Sequence, residues 1–285
     1  MSSTVTQALA TARAAGVDRL DAQLLLGHVL QKDRGWLVAH DQDELPPDAL
    51  AGFQALWRRS AAGEPTAYLL GEREFHGLTL QVSPAVLVPR PDTETLVDWA
   101  LELLAGELAD RTVPQVVDLG TGSGAIALAV KHRWPAAALT ALDASEAALA
   151  VASANAQRLG LAVRLLHSNW WQAVAGSTFD LALSNPPYIA GDDPHLAALQ
   201  HEPRSALTPE GDGLAAIRSL VADAPPQLRP GAWLLIEHGW DQAEAVQALL
   251  QGAGFAQIQT RHDLAGHGRC TGGRRPATGQ PAGTP

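Results

Sequence analysis

Past residue 113, short apolar segments alternate with stretches of helical periodicity, and this alternation limits the fold more than any other feature of the chain. Strands separated by helices pair in parallel, because each helix crosses back over the sheet. The pattern therefore predicts an α/β fold, a doubly wound parallel sheet with helices on both faces. The predicted strands are Gln115 to Leu119, Ala138 to Leu142, Val163 to His167, Phe179 to Ser184 and Ala232 to His238.

The N-terminal part of the chain has a helical pattern without strands. From Asp21, apolar residues recur at the spacing of one buried helical stripe, and Asp21 is the expected N-cap of that helix. A second segment of this kind follows Pro46 and Pro47. We therefore expect a small all-helical domain over residues 1–72.

A change of period marks the boundary between the helical and the α/β parts. Around Glu74 to Val82 apolar and polar residues alternate, which predicts a β-hairpin linker over residues 73–91. Asp92 follows a proline and is the expected cap of a new helix. The α/β domain is accordingly assigned to residues 92–274.

The C-terminal stretch from Thr271 to Pro285 is rich in Gly, Pro and Thr. This composition is typical of segments that bury too little apolar surface to fold, and it predicts a disordered tail, with bounds set at 275–285. The segment Cys270 to Arg274 is not strand-like, which leaves the limits of a last strand open.

Composition restricts the partners and the compartment. The chain has 20 Lys and Arg against 30 Asp and Glu, a formal net charge of −10. Affinity for nucleic acid of any sequence comes mainly from basic residues, so we expect no direct nucleic-acid binding. The single cysteine, Cys270, precludes an intramolecular disulfide, and no apolar run is long enough to cross a bilayer. We expect a cytoplasmic protein that binds no membrane.

A glycine-rich turn follows the strand that ends at Leu119. Glycines there let the backbone pass close beneath a ligand, at the edge of the sheet where open α/β folds bind them. An acidic residue at the end of the next strand can accept both hydrogen bonds of a ribose diol. The candidate cofactor-binding residues are Gly120, Thr121, Gly122, Ser123, Gly124 and Asp143.

Two alternatives remain open for this segment. The glycines also fit an ordinary tight turn, and Asp143 also fits the N-cap of the following helix. If a cofactor binds, a nicotinamide nucleotide and S-adenosylmethionine both present a ribose to such an acid.

The sequence Asn-Pro-Pro-Tyr directly follows the buried strand that ends at Ser184. The Asn185 side chain and the Pro186 carbonyl offer two acceptors in a loop that Pro186 and Pro187 make rigid, so they can bind both hydrogens of a planar NH₂ group. Tyr188 can lie against the amide plane and exclude water. We expect Asn185, Pro186 and Tyr188 to be catalytic, and all four residues to bind the substrate amide. Asn185 would also contact the cofactor.

With these motifs in place, the chain closely resembles the HemK/PrmC family, the peptide chain release factor glutamine methyltransferases. The resemblance runs from about Asp21 to about Gly268. Besides the two motifs above, it includes Gly63-Glu64-Pro65, Val82-Ser83-Pro84, Val88 to Glu94, Glu202 to Leu207 and Glu237-His238-Gly239-Trp240.

The resemblance implies a class I, Rossmann-like methyltransferase domain that binds S-adenosylmethionine through the glycine loop, Asp143 and Trp170. It also implies that residues 185–188 hold the glutamine of the release factor's Gly-Gly-Gln motif for methylation at N5. Trp170 is one of two adjacent tryptophans, so a core position fits it equally well. Asn169 stands where the family leads us to expect an acidic residue, which predicts altered affinity for the cofactor.

Three other functions stay open at this point. A ribosomal-protein glutamine methyltransferase is built on the same plan. An adenine-N6 DNA methyltransferase also holds a planar NH₂ group, but it must flip its base and the chain has no sizeable basic region. A non-catalytic adenosyl-binding module would lack turnover. The histidines show no metal-ligand spacing, so we expect no metal.

Overall fold

The structure, a computed structural model, describes residues 3–277. The chain divides into two compact units, Met1–Glu72 and Arg73–Pro285, and each unit has its own apolar core. No helix in the described range is both long enough and apolar enough to span a membrane.

The first unit is all-helical, as the sequence predicts. Phe53, Leu25 and Leu26 lie at the centre of its core and are fully buried. Its helices are α1 (Val5–Ala14), α2 (Arg19–Leu30), α3 (Arg34–Ala39), α4 (Pro47–Ala61) and α5 (Thr66–Leu70).

The predicted N-cap of α2, Asp21, is wrong, because the helix begins three residues earlier. The N-cap is Asp18, whose carboxylate accepts a hydrogen bond from the backbone N–H of Leu20 at 2.7 Å. Asp21 lies inside the first turn, where a negative charge interacts favourably with the helix dipole. An acidic residue fits both places, so residue type alone does not distinguish them.

The second unit begins with a two-stranded hairpin and continues as a seven-stranded sheet. The hairpin pairs β1 (Glu72–Phe75) with β2 (Leu78–Gln81). The strands of the large sheet are β3 (Gln115–Leu119), β4 (Ala138–Asp143), β5 (Arg164–His167), β6 (Phe179–Ser184), β7 (Leu228–Glu237), β8 (Ala256–His262) and β9 (Gly268–Arg274). The helices are α6 (Glu94–Ala105), α7 (Ala125–Arg133), α8 (Glu146–Leu159), α9 (Arg204–Leu207), α10 (Ala215–Asp223) and α11 (Ala243–Gly252).

The sheet is mixed, which corrects the prediction of a wholly parallel sheet. Its order is β5-β4-β3-β6-β7-β9-β8, and the first five strands are parallel. The strand β9 pairs antiparallel with both β7 and β8. Neither β8 nor β9 was predicted from the sequence.

The predicted C-terminal tail is wrong over Thr271 to Arg274. These residues belong to β9. The neighbouring strands β7 and β8 form hydrogen bonds with the backbone of β9, and this pairing does not require side chains, so glycine is tolerated there. Gly272 and Gly273 lie so close to neighbouring side chains that a larger residue would clash. A Cβ on Gly272, for example, would lie 2.4 Å from the Leu235 side chain. Of the tail placed at 275–285, residues 278–285 lie outside the described range.

Helices cover both faces of the sheet. On one face, strand residues such as Val116, Leu183 and Leu235 pack against α6 and α7. On the other face, Val117 and Leu234 pack against α10 and α11. The doubly wound, three-layer arrangement is therefore confirmed.

The helix after the hairpin begins later than predicted. Asp92 lies in a short 3₁₀ turn, Pro91–Thr93, and α6 follows with Thr93 at the N-cap position. Neither residue caps the helix through its side chain, so Asp92 is not the cap that the sequence analysis expected. The hydroxyl of Thr93 is instead used inside the domain, as described below.

Strand order determines where a site can form. The chain runs from β3 outward to β4 and β5, and then returns to β6 on the other side of β3. Leu119 and Ser184, the last residues of β3 and β6, are paired across the two strands. The carboxyl ends of β3 and β6 thus flank the switch point, the crevice in which open α/β sheets bind ligands.

Candidate active site

A cavity of about 400 Å³ opens at the switch point. This volume lies in the range of small-molecule sites. The loops that follow β3, β4, β5 and β6 all contribute to its wall, together with the segment before α6. Of the predicted site residues, the wall includes Gly120, Thr121, Gly122, Ser123, Asp143, Trp170, Asn185 and Pro187.

The glycine loop requires its glycines for conformation. Gly120, Gly122 and Gly124 have φ angles of 77°, 56° and 85°, in the left-handed region that other residues rarely adopt. Gly124 also lies against α7, where a Cβ would meet Leu128 Cδ1 at 2.9 Å. Gly124 is thus a packing position, while Gly120 and Gly122 line the cavity.

A buried carboxyl group, Asp118, supports the glycine loop from behind. Its Oδ2 accepts hydrogen bonds from the Thr121 hydroxyl at 2.6 Å and from the backbone N–H of Ala127 at 3.3 Å. Burial raises the pKa of Asp118 to about 7, although these hydrogen bonds oppose the shift. Asp118 was not among the predicted site residues, although an acidic residue inside an apolar strand is a signal that could have found it.

Asp143 lies at the end of β4 and faces the loop. Its Oδ2 accepts from the backbone N–H of Gly122 and its Oδ1 from that of Ser145, both at 2.8 Å. Each carboxylate oxygen has a further lone pair with which to accept from a ribose diol. The alternative that Asp143 caps the following helix is wrong, because Ser145 is the N-cap of α8.

The two adjacent tryptophans have different environments. Trp171 is buried in the core, and its Nε1 donates to the carbonyl of Leu220 at 3.0 Å. Trp170 has a φ of 47° and lines the cavity, as does Asn169. A Cβ on Gly120 would lie 3.4 Å from the Trp170 ring, so that ring and the glycine loop form adjacent parts of one wall. This position suits a flat aromatic ligand group.

The Asn-Pro-Pro-Tyr loop turns two of its residues into the cavity wall, Asn185 and Pro187. Pro186 is buried behind the wall and does not line it. The amide Nδ2 of Asn185 donates to the Thr93 hydroxyl at 3.1 Å, which leaves Oδ1 as the acceptor for a ligand. The expected role of the Pro186 carbonyl stays a prediction.

Tyr188 is half-buried and does not line the cavity. Both its hydroxyl and its backbone carbonyl form hydrogen bonds. Its hydroxyl donates to Glu237 Oε1 at 3.3 Å, and its carbonyl accepts from Gln242 Nε2 at 3.0 Å. Burial and the negative charge of Glu237 raise the pKa of Tyr188 well above its usual value, so the phenol stays protonated. The predicted contact of its ring with the substrate amide stays a prediction.

A second buried carboxyl group, Glu237, supports this loop. It ends β7 and is 1% exposed, and burial raises its pKa to about 7. The nearby Thr93 hydroxyl, the charge of Arg269 and the hydrogen bond from Tyr188 oppose that shift. Neither Thr93 nor Glu237 was among the predicted site residues, although both lie in segments that carry the family resemblance.

Arg90 lines the cavity and pairs with the buried carboxylate of Glu202. Glu202 also accepts from the backbone N–H of Val88 at 3.0 Å, so it joins the segment before α6 to the segment before α9. Arg204 is exposed and pairs with Glu210 instead. Glu202 therefore helps to shape the cavity, whereas Arg204 forms a surface pair.

No group of three or more His, Cys, Asp or Glu residues within 3–277 is arranged to hold a metal ion. The cavity instead offers main-chain groups, the Asp143 carboxylate, the Trp170 ring, two asparagine amides and the guanidinium of Arg90. These features fit the parts of S-adenosylmethionine, because Asp143 suits a ribose, Trp170 an adenine, and the glycine loop a close backbone approach. The fold and the site together define a class I S-adenosylmethionine-dependent methyltransferase.

Comparison with known proteins narrows this class to one family. Residues 3–71 match the family model described as PrmC N-terminal domain, and residues 93–221 match Methyltransferase small domain. A release factor glutamine methyltransferase of Bordetella pertussis is 53% identical over 261 residues, which are 90% of this chain and 95% of the relative. The chain belongs to the family of release factor glutamine methyltransferases.

Other relatives agree with this assignment. A release factor glutamine methyltransferase of Xylella fastidiosa strain Temecula1 is 49% identical over 94% of this chain and 98% of the relative. Among solved structures, a methyltransferase from Pyrococcus furiosus aligns with a TM-score of 0.52 at 20% identity, covering 70% of this chain and 90% of that one. That structural likeness supports the methyltransferase fold.

Proposed function

We infer that this protein transfers a methyl group from S-adenosylmethionine to the side-chain amide nitrogen, N5, of the glutamine in the Gly-Gly-Gln motif of peptide chain release factors, and so modulates translation termination. The observation that carries this inference is the position of Asn185. Its amide lines the same cavity as the glycine loop, Asp143 and Trp170.

The chain's own groups account for the reaction by orientation. When bound, S-adenosylmethionine supplies an electrophilic methyl group on a sulfonium. Asn185 Oδ1 and the Pro186 carbonyl would accept the two amide hydrogens of the substrate and aim the nitrogen for an in-line approach from about 3 to 3.5 Å. The two acceptor dipoles also stabilise the positive charge that develops on that nitrogen. Tyr188 would cover the amide plane and exclude water.

We assign recognition of the release factor to the helical residues 1–72 and chemistry to residues 92–274, joined by the linker 73–91. The glycine beside the target glutamine has no side chain, so the substrate segment can enter a narrow pocket. We also place the enzyme in the cytoplasm, where release factors act.

Mass spectrometry of purified release factors, incubated with this enzyme and S-adenosylmethionine, tests the proposal. The expected result is one added methyl mass on the glutamine of Gly-Gly-Gln. A release factor in which that glutamine is replaced by glutamate is the matched control and should gain none. Methylation of a ribosomal-protein glutamine or of adenine in DNA, with none on release factors, would contradict the proposed substrate.

A further inference from the structure

The backbone carbonyl of Tyr188 is held by a side chain from the loop between β7 and α11. Gln242 Nε2 donates to the Tyr188 carbonyl at 3.0 Å, and Gln242 Oε1 accepts from the backbone N–H of Gly239 at 2.9 Å. Gln242 stands at the N-cap position of α11, but its side chain makes no capping hydrogen bond. The amide therefore joins two loops instead of capping a helix.

The direction of this amide is determined by its two backbone partners. A backbone N–H can only donate a hydrogen bond, and a backbone carbonyl can only accept one. The N–H of Gly239 must therefore face the Gln242 oxygen, and the carbonyl of Tyr188 must face the NH₂ group. A flipped amide would set two donors against each other at Gly239 and two acceptors against each other at Tyr188. Neither backbone partner is titratable, so the arrangement does not depend on a protonation state.

The space around this hydrogen bond is closely packed. Gly213 has a φ of 77° and lies against the Tyr188 carbonyl, where a Cβ would come within 2.4 Å of the oxygen. The same Cβ would lie 3.1 Å from Gln242 Nε2. The next residue is held as well, since the backbone N–H of Ile189 donates to the Leu207 carbonyl at 3.0 Å. The C-terminal end of the Asn-Pro-Pro-Tyr loop is thus fixed by the loops around it.

The N-terminal end of the same loop is fixed by the sheet. Ser184 is the last residue of β6, and its hydroxyl donates to the carbonyl of Leu119 at 2.7 Å. Between Ser184 and Tyr188 stand only Asn185 and two prolines, whose rings fix φ. A short segment with few free torsions, held at both ends, has little freedom to move. The contact at Tyr188 therefore limits where Asn185 Oδ1 and the Pro186 carbonyl can point.

We propose that Gln242 is a positioning residue: its amide fixes the Tyr188 carbonyl and, through the two prolines, the acceptors that hold the substrate amide. This inference rests on the proposed function, because the position of those acceptors matters only if residues 185–188 bind a glutamine side chain. Gln242 does not line the cavity, so it acts through Tyr188 and not through contact with a ligand.

Gln242→Met tests the proposal, because methionine has a similar length and shape and replaces both hydrogen bonds with apolar contact. The expected loss in kcat is about 10- to 100-fold, since the loop that aims the substrate nitrogen is no longer held. Binding of S-adenosylhomocysteine, measured by calorimetry, should stay within about twofold, because Asp143 and the glycine loop are untouched.

Gln247→Met is the matched control on the same helix. Gln247 is also half-buried, and its Nε2 donates to Thr260 Oγ1 on β8 at 2.8 Å. Its replacement removes a side-chain hydrogen bond that does not reach the Asn-Pro-Pro-Tyr loop. This control should show a similar fall in Tm and should keep the wild-type kcat.

Gln242→Glu separates the two hydrogen bonds from a general effect on packing. A protonated carboxyl can accept from Gly239 and donate to Tyr188, whereas a carboxylate sets an oxygen against the Tyr188 carbonyl. Partial burial beside a carbonyl raises the pKa of the introduced carboxyl. The kcat of this variant, relative to that of the wild type, should therefore increase as the pH falls from about 8 to about 6. The relative kcat of Gln242→Met should not change with pH.

Three results would overturn the proposal while the wild-type enzyme still methylates release factors: a Gln242→Met variant with wild-type kcat, a Gln247→Met variant as impaired as Gln242→Met, or a relative kcat of Gln242→Glu that does not change with pH. If Gln242→Met fails to fold, the pH dependence of Gln242→Glu decides the matter by itself. Absence of release factor methylation by the wild-type enzyme would instead contradict the proposed function.

Discussion

The loops that follow β3 and β6 form neighbouring parts of one cavity, yet they are supported in different ways. Each has a buried carboxyl group behind it whose pKa burial raises to about 7. Behind the glycine loop, Asp118 binds Thr121 and Ala127, three and nine residues along the chain. Behind the Asn-Pro-Pro-Tyr loop, Glu237 binds Tyr188, 49 residues away.

The two loops therefore depend on different kinds of contact. The glycine loop depends on backbone conformation and on contacts that are local in sequence. The Asn-Pro-Pro-Tyr loop instead has side chains that hydrogen-bond distant residues, as Asn185 does with Thr93, 92 residues away. Substitutions should therefore separate the two halves, with cofactor affinity reporting on the first and turnover on the second.

Asn185→Ala should have the largest effect. That effect should be confined to turnover, which reports on the Asn-Pro-Pro-Tyr half of the site. We expect kcat to fall by about 100- to 1000-fold, because a preorganised acceptor at the reacting nitrogen is lost. The dissociation constant of S-adenosylhomocysteine should change by less than about threefold, since the glycine loop and Asp143 keep their contacts. Single-turnover kinetics and calorimetry check the two values. Unchanged turnover would remove the assigned role of Asn185.

Gly120→Ala should instead affect the glycine-loop half of the site. The φ of 77° costs an alanine about 1 to 2 kcal/mol, and its Cβ would lie 3.4 Å from the Trp170 ring in the cavity wall. We expect cofactor affinity to weaken by about 10-fold, measured by calorimetry.

Gly160→Ala is the matched control for Gly120→Ala. Gly160 has a φ of 65° at the end of α8, and a Cβ there meets nothing within 4 Å. This control should lose a similar amount of unfolding free energy and keep its cofactor affinity. Equal losses of affinity in the two variants would mean that Gly120 acts through stability alone.

Asp143→Asn should have a smaller effect on the same half. The amide oxygen can still accept one backbone hydrogen bond, but the charge that favours a ribose diol is lost, so we expect affinity to fall by about 3- to 10-fold. Glu146→Gln removes the same charge nearby, at an exposed position outside the cavity wall, and should change nothing. If both variants lose affinity equally, the effect is one of net charge.

Glu237→Gln should have the smallest effect on stability, and that effect should depend on pH. The pKa of Glu237 is about 7 in the folded protein, against an ordinary value of 4.5. Its stabilising contribution is present below pH 4.5 and is lost as pH rises through 7, because folding opposes its ionisation. Between pH 5 and 7 the wild-type Tm should therefore fall by about 2 to 4 °C more than that of the variant. If the Tm of the two proteins changed in parallel with pH, a buried Glu237 carboxyl with a raised pKa would be contradicted. Asp118 is present in both proteins, so its own titration cancels.

Local patterns predicted several residues that the structure brings to the cavity, while their roles in binding and catalysis stay predictions. The glycine turn, Asp143 and Asn185 were all predicted as site residues, and the structure brings them to one cavity. The predicted caps at Asp21 and Asp92 were wrong, because neighbouring residues of suitable type compete for each position. The strand β9 was missed because its glycines do not resemble a strand. They fit there because Leu235 and Phe255 pack closely against them, and such a contact cannot be predicted from a local pattern.

The chain alone predicts the alternation of strands and helices, the glycine turn, and the rigid Asn-Pro-Pro-Tyr loop. These features depend on backbone conformation and on residues that are neighbours in the chain. The folded structure was needed to show that Trp170 rather than Trp171 faces the cavity, that Glu202 pairs with Arg90, and that Thr93 lies behind Asn185. Contacts of this kind form when the sheet brings distant strand ends to one edge, so their partners are set by strand order rather than by spacing along the chain.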